Sequence, residues 1–303
     1  QWPATFETYV YPTMGAVLVG EVTQAHVLDV LRPIWKTKTQ TASRLRGRIE
    51  QVLSWATAAG YRQGDNCARW TGLLDQLLPA PGKVSKVRHH PAIRVDEMPA
   101  FITALRQLNG LSALALEFVI LTAARSGEVR GATWPEIDQA AAVWTVPAER
   151  MKAGREHRVP LSAQAIKLLQ SVPRIDGTDL VFSAPRGGQL SDMALTALMR
   201  RMDYRDTEGR QCVPHGCRST FRDWCSERTN YPRDLAEQAL AHALESKVEA
   251  AYRRGDALEK RREMMQAWAD FCVPSPTEKP ASPAPDTAGQ QGGGAGDANT
   301  LPA

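Results

Sequence analysis

A mainly α-helical chain with one small antiparallel β-sheet, divided into two domains, is predicted by three features of the sequence. Apolar residues recur at helical spacing over most of residues 1–80 and again from about residue 96. Between Ala141 and Leu161 that period disappears, and short runs with strand character take its place. Between the two helical regions, Pro79-Ala80-Pro81-Gly82 and the basic run from Lys83 to His90 place a boundary near residue 85. With 303 residues the chain is long enough for two real cores.

The first helix signal is Val22-Thr23-Gln24-Ala25-His26-Val27, with Thr23 as N-cap and Pro33 limiting the extension. The clearest helix runs from about Ala42 to Ala59, with Leu45, Ile49, Val52, Leu53 and Ala56 as its apolar stripe and Gly60 as its stop. Arg44 and Arg48 lie off that stripe and, with Lys36, Lys38 and Arg46, form a basic cluster. Such a cluster suits a phosphate backbone and equally suits a solvated helix face. Asp96 to Leu108 reads as an amphipathic helix. Leu111 to Ala124 is apolar on most faces and hence a core helix, which delivers Arg125 from a buried element. Val143-Trp144-Thr145-Val146 and His157-Arg158-Val159-Pro160-Leu161 read as strands joined through Met151-Lys152-Ala153-Gly154, with Lys152 projecting from the connection. Helices then follow from Ser162, from Ser191 to about Met202, and from Pro232 to Ala241, the last closed by His242. Ser246 caps a helix carrying Tyr252, and Asp256 starts a final amphipathic helix through Leu258, Met265 and Trp268. After Val273 the chain turns to Pro, Ala, Gly, Ser and Thr. That tail buries too little apolar surface to offset its ordering entropy and is expected to be disordered.

The formal net charge of +4 permits a nucleic-acid partner without requiring one. No apolar run reaches membrane-spanning length and no secretory leader is present, so a soluble, cytoplasmic protein is expected. Entry at Gln1, without methionine, reads as a fragment. The five cysteines, at 67, 212, 217, 225 and 272, follow no disulfide or zinc-ribbon spacing. Cys212, His215 and Cys217 crowd together but fit no common structural zinc pattern, so buried, reduced thiols and no metal are expected.

The stretch from Pro214 to Trp224 carries the chemistry. Pro214 and Gly216 bracket His215, so a turn ends there and a helix starts near Cys217. His215 and Arg218 share one side of its first turn, while Phe221 and Trp224 bury the helix. A histidine and an arginine held together offer two charge-assisted donors to a phosphate oxygen, although His-x-x-Arg alone also fits a solvated helix start.

Arg125, Lys152, His215, Arg218, His242 and Tyr252 occur in that order on a mainly helical domain. The chain thereby resembles the tyrosine-type site-specific recombinases, specifically phage or genomic-island integrases. The resemblance rests on Thr122 to Glu128, Arg150 to Pro160, His215 to Trp224, Ala239 to His242 and Ala251 to Arg254, and it covers roughly residues 1 to 272. It implies an N-terminally truncated, all-helical core-binding DNA-binding domain over residues 1–82 and a linker over 83–95. A recombinase catalytic domain over 96–272 and the tail over 273–303 complete the plan. The activity implied is DNA cleavage and rejoining through a covalent 3′-phosphotyrosine, for integration or excision of a mobile element, with no metal or cofactor. Tyr252 is then the nucleophile, Arg125 and Arg218 clamp the nonbridging oxygens, and His215 and His242 are further donors. Lys152 is the general acid for the leaving 5′-oxygen, and Glu128 the carboxylate that holds the clamp. The implied partners are double-stranded attachment sites, further protomers in a tetrameric synaptic complex, and accessory DNA-bending and directionality factors. The alternative is an integrase-derived DNA-binding protein without catalysis.

Overall fold

The computed structural model describes residues 2–85, 89–242 and 255–274. The chain forms two compact units, residues 1–89 and residues 90–303.

The first unit is helical, with α1 (Trp2–Tyr9), α2 (Tyr11–Met14), α3 (Gln24–Trp35), α4 (Thr39–Ala58) and α5 (Pro81–Val84). Thr23 is the N-cap of α3, and its backbone N–H donates to His26 Nδ1 at 3.2 Å. Pro33 was expected to limit this helix but lies inside it, two residues before its end. Its missing N–H leaves the Asp29 carbonyl without its helical donor. The buried stripe of α4 is Ala42, Leu45, Ile49, Leu53 and Ala56. Val52, expected on that stripe, is 37% exposed, because it points away from the 3.6-residue line that Ile49, Leu53 and Ala56 follow. The core closes on Trp35, which is 2% exposed, stacks on Trp70 at 5.6 Å and donates its indole N–H to the Pro79 carbonyl at 2.9 Å.

The second unit holds α6 (Met98–Leu105), α7 (Leu111–Thr122), α8 (Ser126–Arg130), α9 (Ala163–Ser171), α10 (Ala194–Met202), α11 (Gly216–Arg228), α12 (Arg233–Ala239) and α13 (Leu258–Cys272). A three-stranded antiparallel sheet interrupts them, in the order β1 (Ile137–Asp138), β2 (Val143–Val146), β3 (His157–Pro160). Trp144 pairs with both Ile137 and Val159, and Val146 with His157. The helix expected from Asp96 starts as a 3-10 turn over Val95–Glu97 and becomes α-helical at Met98. Pro99 explains the break, since proline fits only a first helical turn.

The core is built around α7. Phe118 packs against Trp144 and Phe182, and Trp268 of α13 donates its indole N–H to the Ile120 carbonyl at 2.7 Å. The one buried carboxylate of α7, Glu117, accepts two N–H bonds from Arg106, at 2.9 and 2.6 Å. Arg261 of α13, only 1% exposed, donates to the Arg158 carbonyl at 2.7 Å and to the Asp256 carbonyl at 2.8 Å, fastening α13 to β3. All five cysteines are buried free thiols. Among the described residues no helix is long and apolar enough to cross a membrane.

Candidate active site

Two helix C-termini set the geometry. The last carbonyls of a helix have no intrahelical donor and carry partial negative charge. α7 ends in Ala123, left-handed at φ 50°, and α12 runs out through Leu240 into Ala241, left-handed at φ 47°. Arg218, in the first turn of α11, reaches both ends: Nη1 donates to the Ala123 carbonyl and Nη2 to the Leu240 carbonyl. Arg125, just beyond α7, donates through Nη2 to the neighbouring Ala241 carbonyl at 3.3 Å. Glu128 holds Arg125 twice, accepting from its backbone N–H at 2.9 Å and from Nη1 at 2.7 Å. Burial, and then the charge of Arg125, pull the Arg218 pKa down to about 10, which leaves it a cation at neutral pH. Arg218 Nε is buried without a hydrogen-bond partner among the described residues.

His242 joins the same cluster. Its Nε2 lies 3.2 Å from Arg218 Nη2 and its Nδ1 lies 2.7 Å from Glu237 Oε2. Glu237 Oε1 in turn accepts from Arg222 Nε at 2.7 Å. Neither Arg222 nor Glu237 was expected from the sequence. The available signal was that Arg218 and Arg222, four apart on α11, share a face.

His215 is the N-cap of α11, with its ring edge-on to His90 at 4.5 Å between centroids. Its pKa is pushed down to about 4 by the desolvation of its inner side, then by His90, Arg218, Arg125 and His242. The imidazole is therefore neutral at neutral pH. His90, read in the sequence only as part of a basic run, reaches this position because residues 91–93 are strapped across the start of α11. The Val213 N–H donates to the Pro91 carbonyl at 3.2 Å and the Thr220 hydroxyl to the Ile93 carbonyl at 2.6 Å. A Cβ on Gly216 would stand 2.0 Å from the Pro91 oxygen, so only glycine fits beneath the strap. Gly216→Ala is expected to lower stability by about 1–3 kcal/mol in urea unfolding and to displace His215. A variant as stable as the parent would mean that the strap moves aside freely.

Lys152 lies in the exposed turn between β2 and β3. At the far end of that turn, burial and then the charge of Arg261 push the pKa of His157 down to about 4, against the opposing effect of Glu128 and a backbone hydrogen bond at Ala239. Arg150 braces the base of the turn, donating to Glu136 Oε2 at 2.7 Å and to the Glu128 carbonyl at 3.1 Å. Tyr252 lies outside the described residues, as does Ser246. Cys217 packs into the core at 2% exposure, where burial pushes its thiol up to about 12. Among the described residues no three His, Cys, Asp or Glu side chains are grouped to hold a metal ion.

In the first unit, Lys36 and Arg44 are exposed. Lys38 donates to the Tyr9 hydroxyl at 3.0 Å, and Arg48 donates to the Thr5 hydroxyl at 2.8 Å. Arg46 is drawn inward, paired with Glu50 and donating to the Ala68 carbonyl at 3.0 Å.

The structure thus gathers Arg125, Glu128, Arg218, His215 and His242 from separate stretches of the second unit. Convergent guanidinium N–H groups beside two imidazoles, in a partly desolvated site, can bind an oxyanion and stabilise charge that builds on it.

The model of the Phage integrase family matches residues 91–259, and that of the Phage integrase central domain matches residues 1–73. The integrase of Enterobacteria phage P4 is 30% identical over 284 residues, which take in 88% of this chain and 62% of that protein. The chain therefore spans less than two thirds of the length of this relative. A lambda integrase dimer bound to a COC' core site matches with a TM-score of 0.60 at 17% identity, over 84% of this chain and 87% of the other. A lambda integrase tetramer bound to a Holliday junction matches with a TM-score of 0.56 at 19% identity, over 75% and 66%. At these identities the likeness to the solved structures is one of fold.

Proposed function

The chain belongs to the phage integrase family, and from that premise we propose that it is a site-specific DNA recombinase working through a covalent 3′-phosphotyrosine. The observation that carries this reading is the meeting of Arg125, Arg218 and His242 at the ends of α7 and α12. Arg125 and Arg218 clamp the nonbridging oxygens of the scissile phosphate, where charge grows as the nucleophile adds. The Tyr252 oxygen attacks phosphorus and the bond to the 5′-oxygen breaks. The tyrosine proton passes to His215, neutral with its pKa near about 4, and Lys152 supplies the proton that the leaving oxygen takes. Rejoining runs the same steps backwards from another strand's 5′-hydroxyl, so bond energy is kept in the phosphotyrosine and no metal or cofactor is needed.

Residues 1–82 act as the core-binding domain and residues 96–272 as the catalytic domain, joined by a linker over 83–95. Lys36, Lys38 and Arg44 meet backbone phosphates, while Arg46 and Arg48 stiffen the surface that presents them. The partners are double-stranded attachment sites, further protomers in a tetrameric synapse, and accessory bending and directionality factors. The work is done in the cytoplasm, on the nucleoid, to integrate or excise a mobile element.

The test uses nicked duplexes tiling the DNA beside the gene that encodes the chain. On the duplex bound most tightly, the protein is expected to form an adduct that survives SDS and forms equally in EDTA. Tight binding without an adduct would favour the DNA-binding protein without catalysis, and cleavage lost in EDTA would point to a metal-dependent nuclease.

A further inference from the structure

We infer that Glu237, itself held by Arg222, is a positioning residue that fixes the tautomer and ring orientation of His242. The two neighbours of the imidazole demand the same tautomer independently. Arg218 Nη2, 3.2 Å from Nε2, has only N–H to offer, so Nε2 must be the accepting nitrogen. Nδ1 therefore carries the hydrogen and donates it to Glu237 Oε2 at 2.7 Å. The opposite tautomer would set N–H against N–H on one side and a lone pair against a carboxylate on the other. Glu237 can only accept at this position. Burial raises its pKa, but the hydrogen bonds from Arg222 and His242 outweigh burial and hold it below the usual carboxylate range.

The grip extends to the backbone, because the His242 N–H donates to the Glu237 carbonyl at 3.0 Å. Arg222 Nε, 2.7 Å from Glu237 Oε1, keeps the carboxylate from swinging into solvent. α11 thus holds both sides of one ring, directly through Arg218 and through Glu237 by way of Arg222.

The functional consequence rests on the recombinase reading above. Nε2, which accepts from Arg218 here, is the ring nitrogen held on the side of the clamp. The Nδ1–H bond to Glu237 keeps the ring from rotating, so Nε2 stays aimed at the clamp that receives the phosphate.

The tautomer is read by ¹⁵N NMR of histidine side chains in the full chain, with His242 identified by the signals lost in His242→Asn. The parent is expected to show hydrogen on Nδ1, and Glu237→Ala to lose that preference. Glu237→Gln, whose amide oxygen still accepts, should keep it, which separates positioning from general loss of structure. Adduct formation on the nicked duplex should slow about 10–100-fold in Glu237→Ala, by analogy with carboxylates that orient metal-bound histidines from behind, with DNA affinity retained. A milder loss is expected in Arg222→Gln. Hydrogen on Nε2 in the parent, or a Glu237→Ala protein with tautomer and adduct rate both unchanged, would overturn the inference. If the tautomer responds as stated while the parent forms no adduct, the recombinase reading fails and the control of His242 stands.

Discussion

Tyr252→Phe is expected to bind the nicked duplex as tightly as the parent chain and to form no SDS-resistant adduct. The substitution removes one oxygen and leaves the ring, so shape and packing change little while the only atom able to bond phosphorus is lost. A phenol with its ordinary pKa of about 10 is a weak nucleophile. In the proposed mechanism its reactivity is drawn from the cations that surround the phosphate and from a neutral His215 able to take its proton. None of these can substitute for the missing oxygen, which makes the effect a loss rather than a slowing. Because Tyr252 lies outside the described residues, its assignment stands on its place in the sequence and on family membership. An adduct that persists in Tyr252→Phe would move the nucleophile to another residue and sink the mechanism.

Arg218→Lys should slow adduct formation by about 10²–10³-fold, the usual effect of removing one donor to a developing oxyanion. The comparison with lysine is the informative one, since charge is kept and the fork is lost. One guanidinium spans the Ala123 and Leu240 carbonyls and meets His242, and a single ammonium cannot serve all three at the required separations. A stability loss of about 1–3 kcal/mol should accompany it, because a buried carbonyl is left without its donor. Single-turnover adduct kinetics and urea unfolding separate the two effects. Arg125→Lys should be milder in stability, its side chain being 23% exposed and tied to Glu128. An Arg218→Lys protein reacting at the parent rate would show that charge alone suffices there.

Much of this was legible in the sequence where the period of the chain carried the signal. Val143–Val146 and His157–Pro160 form strands where the helical pattern fails, and Leu111–Thr122 is the buried helix its apolar faces predict. β1 was missed, because two residues are too few to display any period. Arg125, His215, Arg218 and His242 come together, although they are scattered over more than a hundred residues, because each sits at the end of an element rather than on an exposed face. Glu237 escaped notice for a physical reason. It stands five residues before His242, across the point where α12 unwinds, and helical spacing no longer tells which side chains meet there. His90 was hidden likewise: nothing in a basic run says that the following proline will be pinned over Gly216.

Besides His242, the partners of Arg218 are main-chain oxygens at 123 and 240, and that of Arg125 beyond Glu128 is another at 241. Every amino acid carries that oxygen. Codon changes at those three positions cannot delete the acceptors; they can only bend the path that aims them. The mutational target of the clamp thus shrinks to the two arginines, Glu128, His242 and the local course of the chain. Lineages can then rewrite most side chains around it without dismantling it.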